Sequence, residues 1–145
     1  MAVRHASEAV TRVIELLQGS DIFCNWLEGD HELIPSSPTG CIFPGAVDRA
    51  YVGMPRRVEA VIQVFIMLYH GANIPRGQNQ TEALALEDAV VDLLEKDANL
   101  GDDLVINTFV GRVEHGEVTR TRTKHYATRI SLIITSRYNI GLDYD

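Results

Sequence analysis

The chain has 145 residues, 46% of them hydrophobic, and carries 20 acidic against 13 basic side chains for a formal charge of −7. That is enough apolar material for one domain with a core over residues 1–145, and it excludes the low-hydrophobicity, high-charge signature of a disordered chain. An acidic total also argues against a protein that coats nucleic acid with its whole surface, because such binding relies on basic side chains displacing phosphate counterions.

In chain order, Val10, Val13, Ile14 and Leu17 recur at three- and four-residue steps with Gly19 behind them, which predicts a helix over about residues 4–18. Asp21 to Leu33 mixes Ile22, Phe23, Trp26 and Leu27 with acids, and its short length leaves strand and turn equally open. Pro35, Ser36, Ser37, Pro38, Gly40, Pro44 and Gly45 then crowd so many breakers together that residues 35–48 read as one long loop. Arg49 to Arg57 reads as a short strand held at a sheet edge by Pro55. From Val58 to Tyr69, β-branched residues and a period of two favour a central strand, since a helix would bury Glu59 and Gln63 in an apolar cylinder.

His70 to Gln80 is a polar connection, and Asn79 or Thr81 opens a second helix. Ala83, Leu86, Val90, Leu93 and Leu94 line one side of it, Glu87, Asp88, Asp92 and Glu95 lie outside that stripe, and Asn99 to Gly101 ends it. Leu104 to Val113 and Tyr126 to Arg137 read as strands of a long antiparallel hairpin whose turn falls at Glu114 to Glu117, with Gly116 supplying positive φ. The longest apolar run, Val61 to Tyr69 with Gln63 inside it, is far short of the roughly 20 residues that span a bilayer, so no membrane segment is predicted. Met1 to Glu8 lacks the apolar stretch and cleavage site of a secretory signal.

Candidate chemistry is thin. Histidines at 5, 31, 70, 115 and 125 show no four-residue helical pairing, and Asp30 and His31 point to opposite sides of an extended chain, so no metal site is expected. Cys24 and Cys41 read as reduced thiols, and no G-x-S-x-G elbow occurs. Gly71 and Gly77 flank Arg76 without phosphate-loop spacing or its Lys. The charge pattern is more informative. Residues 82–103 hold eight acids and only Lys96, whereas residues 112–137 hold six cations against Glu114 and Glu117. On an extended backbone Arg120, Arg122 and Lys124 share one side, a strip suited to a solvated edge, to a nucleic-acid backbone, or to the acidic helix of a neighbouring copy.

An amphipathic helix from Ala6 to Leu17, a Pro/Gly-rich stretch, the strand from Arg57 to Ile66, the helix from Thr81 to Glu95 with its acidic-Gly ending, and a hairpin closing with Arg129 to Thr135 form a pattern that resembles the tail-terminator, or tail-completion, proteins of tailed bacteriophages and related head–tail neck proteins. The stretch 20–48 has no counterpart in that pattern. The resemblance implies an α+β fold, a mixed or antiparallel sheet of about four to five strands with two main helices packed on it and a C-terminal β-hairpin. It implies a structural virion protein, assembled in the host cytoplasm, that forms a ring, usually a hexamer, capping the tail tube and meeting the head-side connector. DNA is then only passing cargo in the lumen. No catalytic, metal or cofactor residues carry over. The ring and partner contacts would come regionally from Arg120, Arg122 and Lys124 on the hairpin and from Glu87, Asp88, Asp92 and Glu95 on the second helix. Two other classes stay open: a small nucleic-acid-binding module using residues 119–125, and a thiol hydrolase pairing Cys24 or Cys41 with a histidine.

Overall fold

Two helices and five strands follow in the order α1 (Ala6–Gln18), β1 (Asn25–Glu28), β2 (Thr39–Tyr51), β3 (Arg57–Tyr69), α2 (Arg76–Lys96), β4 (Val105–Arg120) and β5 (Thr123–Asn139). The computed structural model describes residues 2–22, 24–29, 38–53, 56–70, 76–97, 99–120 and 123–140, with the backbone alone at 76–80, 120 and 123. The strands form one sheet in the order β1-β2-β3-β5-β4, parallel between β1 and β2 and antiparallel elsewhere. The fold is α+β, a mixed five-stranded sheet with two helices and a C-terminal antiparallel hairpin.

Period-two alternation fixes the register. Val58, Ala60, Ile62, Val64, Ile66 and Leu68 of β3 are buried on one face, opposite Ile130, Leu132 and Ile134 of β5. Onto that face α1 brings Ala9, Val10, Val13 and Leu17, and α2 brings Val90 and Leu94, so a single apolar layer joins both helices to the sheet. At the start of α1 the Glu8 carboxylate accepts the backbone N–H groups of Arg4 and His5 at 3.1 and 3.0 Å, covering donors the first turn leaves orphaned. The Arg12 guanidinium ties α1 to the loop after α2 by donating to the Leu100 carbonyl at 2.6 Å. Leu100 has φ 54°, unusual for a bulky side chain, and is fully buried in the core layer, which holds it there.

Four expectations need correction. α2 begins at Arg76, ahead of Asn79 and Thr81, so residues 76–80 are helix and not connection. Residues 39–48 are strand, not loop, and residues 35–37 lie outside the described residues. β2 pairs with β1 only through Ile42, so Pro44 falls where the strand has become an edge, and the register breaks between Pro44 and Val47. A Pro and a bulge are tolerated in such a place. Gly45 suits it because a Cβ there would stand 2.6 Å from the Gln63 amide oxygen and 2.7 Å from the Phe65 ring. Arg49 to Tyr51 are accordingly the end of β2 and not a separate strand, while Pro55 lies outside the described residues. Finally, β4 runs straight through Glu114 to Glu117: Gly116 faces Ala127, and the reversal comes between Arg120 and Thr123. No helix of the described residues is long and apolar enough to cross a membrane.

Candidate interaction surfaces

β3 carries apolar side chains on both of its faces, a pattern that ordinarily marks a strand covered from both sides. Both helices lie on the even-numbered face. Among the described residues no helix packs on the other; at one end of it Cys41, Tyr69 and Ala127 form a small buried cluster, while Phe43, Val61, Phe65, Met67 and Ile133 are only partly buried and Phe109 is 49% exposed. Phe43 and Phe65 meet across β2 and β3 at 5.6 Å between ring centroids, and the Arg129 guanidinium lies 4.9 Å from the Phe65 ring. Polar groups cross the same face. Gln63 donates to the Ser131 hydroxyl at 3.0 Å, Arg137 meets Glu59 at 2.5 Å, and Arg129 and Arg112 share the Glu114 carboxylate at 2.7 and 3.2 Å. Its bond from Arg129, helped by the charge of Arg112, holds the Glu114 carboxyl below its ordinary range. Two arginines on one carboxylate leave this end of the face cationic. Next to it Met67, Glu114, His115, Gly116, Val118, Ala127 and Arg129 line a shallow pocket of about 220 Å³.

α2 presents the second surface. Asp88, Asp92 and Glu95 are exposed on its outward side together with Leu84, 48% exposed. Glu87 departs from the expected outward placement. It falls four residues after Ala83 and three before Val90, inside the buried stripe, and its carboxylate accepts a hydrogen bond from His115 Nε2 of β4 at 2.7 Å. His115 in turn stands near His70, whose ring is buried with Nε2 3.5 Å from the Thr128 hydroxyl; burial first, and the nearby His115 second, push the His70 pKa down to about 4.

The hairpin is the third surface. It reaches four rungs past the Tyr69–Ala127 pair that ends β3, or about 13 Å of extended chain. Arg120 and Lys124, expected on one side of one extended strand, belong to two strands and to successive rungs, Arg120 opposite Thr123 and Lys124 opposite Thr119. Arg122 lies outside the described residues. Adjacent rungs face opposite ways, so Arg120 and Lys124 do not share one side of the hairpin.

No family model and no curated protein matches this chain. Its surfaces must speak for themselves. Neither thiol is disposed as a nucleophile: Cys41 is fully buried, and burial pushes the Cys24 thiol up to about 12, the direction opposite to thiolate activation. Both cysteines are free. Of the residues expected at an interface, Asp88, Asp92, Glu95 and Lys124 are exposed, and Glu87 is engaged internally. What the chain pattern left unmarked is the open sheet face with Phe43, Phe65, Phe109 and Arg112. The signal was present in β3, where Val61, Phe65 and Met67 alternate with an equally apolar partner set.

Proposed function

We propose that this chain is a self-associating structural protein that works as a ring at the head–tail junction of a tailed phage, capping the tail tube and meeting the head-side connector. The observation that carries self-association is the half-covered sheet: β3 is apolar on both faces and the helices cover one. A single copy thus leaves partly buried aromatic rings beside an excess of arginine, while its second helix turns acids outward. What supports the phage setting is the element order of helix, strands, helix and terminal hairpin, which agrees with the resemblance read from the chain. Heterologous contacts between unlike surfaces close into rings when the rotation between copies is right.

Size-exclusion chromatography with light scattering tests the proposal. A closed oligomer of one stoichiometry, seen as rings by electron microscopy, is the expected result. A strictly monomeric protein at high concentration, both alone and mixed with its tail-tube protein, refutes it.

A further inference from the structure

The acidic face of α2 and the cationic end of the open sheet face lie on opposite layers of the same molecule. One copy cannot bring them together, but two copies can. On α2, Leu84, Asp88, Asp92 and Glu95 follow one another at four-, four- and three-residue steps and so form a single ridge along the exposed side. On β4, Phe109 and Arg112 occupy successive open-face rungs, opposite Ile133 and Ser131, with Gly111 as the extra residue of the bulge between them. Open-face positions on a strand repeat at about 6.6 Å, close to the roughly 6 Å that separates residues four apart on a helix. The chemistry matches position by position. A half-exposed Leu84 corresponds to a half-exposed Phe109, and the carboxylates beyond Leu84 correspond to Arg112, whose side chain is 77% exposed. Gly111 leaves room beside Phe109, since the nearest atom to a Cβ there would be in Ile133 at 3.4 Å.

We infer that, in the ring, the α2 ridge of one copy seats on the Phe109–Arg112 end of the open sheet face of the next, Leu84 against Phe109 and Asp88 and Asp92 against Arg112. This rests on the ring reading and names its interface. Each copy gives a helix and receives one, so the contact is heterologous and propagates, as ring closure requires. It also covers Ile133 of β5, which faces Phe109, and so extends cover from the β4 edge toward the apolar odd-numbered row of β3.

The test separates the interface from the ring. Self-association is measured by light scattering for the wild-type chain, Arg112→Glu, Asp88→Lys and the double variant, with circular dichroism to verify folding. Each single reversal should weaken association by at least about tenfold and the double variant should recover most of it, because opposite charges are restored in exchanged positions. A short bismaleimide should join Leu84→Cys copies to Phe109→Cys copies when the two are mixed, and should join neither to itself. If the wild-type chain assembles while both reversals associate normally and the mixed pair does not crosslink, this interface is wrong and the ring reading stands. If the wild-type chain is monomeric under every condition, alone and with tail-tube protein, both fall.

Discussion

The Glu87–His115 pair fastens α2 to the terminal hairpin from within the buried stripe, and its geometry sets its energetics. The two side chains are 10% and 39% exposed, with 2.7 Å between Oε1 and Nε2. A hydrogen bond to a charged group contributes about 1.5–3 kcal/mol when buried, and the exposure of His115 lowers this to about 1–2 kcal/mol for Glu87→Ala. In a chain of this size that is a fall in Tm of about 3–7 °C. His115→Ala should cost more, about 2–3 kcal/mol, because it leaves a carboxylate buried without its partner. Glu87→Leu should stay within about 1 kcal/mol of wild type, since His115 can then turn to water and leucine suits the stripe. Urea unfolding of wild type, Glu87→Ala, His115→Ala and the double alanine variant at one protein concentration, followed through the single Trp26 and by circular dichroism, gives all four corners of the cycle. A coupling energy of about 1 kcal/mol is expected. Additive single changes, or Glu87→Ala costing more than His115→Ala, would refute the reasoning.

Three further outcomes follow from the geometry. The His70 pKa is lowered from 6.5 to about 4, so the unfolded chain takes that proton at higher pH than the native one. The stability due to a neutral His70 is complete above about pH 6.5 and is lost as pH falls toward 4, by up to about 2 kcal/mol after allowing for screening. His70→Gln should flatten the stability–pH curve in that window, and identical slopes would show that the ring is not desolvated. Gly40→Ala places a Cβ 2.3 Å from the Trp26 ring; it should cost about 1–3 kcal/mol and red-shift the tryptophan fluorescence, and an unchanged spectrum would contradict the packing of β1 on β2. Native protein at pH 8 should be alkylated by iodoacetamide only slowly at Cys24 and Cys41, given the thiol at about 12 and the full burial of its neighbour. Rapid stoichiometric labelling would restore the thiol-nucleophile reading.

How much was legible depended on whether one local rule governed each element. β3 and the second half of β5 were legible because alternation alone decides which side chains reach the core. α1 was legible because one stripe faces one layer. β2 was not, since Pro44 and Gly45 obey the rules of an edge and a bulge, and nothing in the local sequence announces that β1 stops pairing at Ile42. The hairpin turn was misplaced by Gly116, a residue equally at home opposite Ala127 in a strand. Glu87 was misjudged because its charge outweighed its position, although its spacing from Ala83 and Val90 put it in the stripe. The open sheet face depends on which side both helices choose, a property of the assembled layers that no single segment contains.

The strand order carries a consequence for how the molecule comes together. β3 and β5 lie side by side at the centre of the sheet, yet α2 and β4 intervene between them in the chain. The first half, α1 through β3, and the second half, α2 through β5, are each built from near neighbours in sequence. Their strands meet along one seam of thirteen residue pairs from Arg57–Asn139 to Tyr69–Ala127. Loop-closure entropy therefore predicts that the two pieces form locally first and that the zipping of the seam is the slow event in folding. A cut between β3 and α2 would leave two fragments whose complementary strands still specify each other, and the intact protein behaves as two halves of a clasp that the connecting segment keeps within reach.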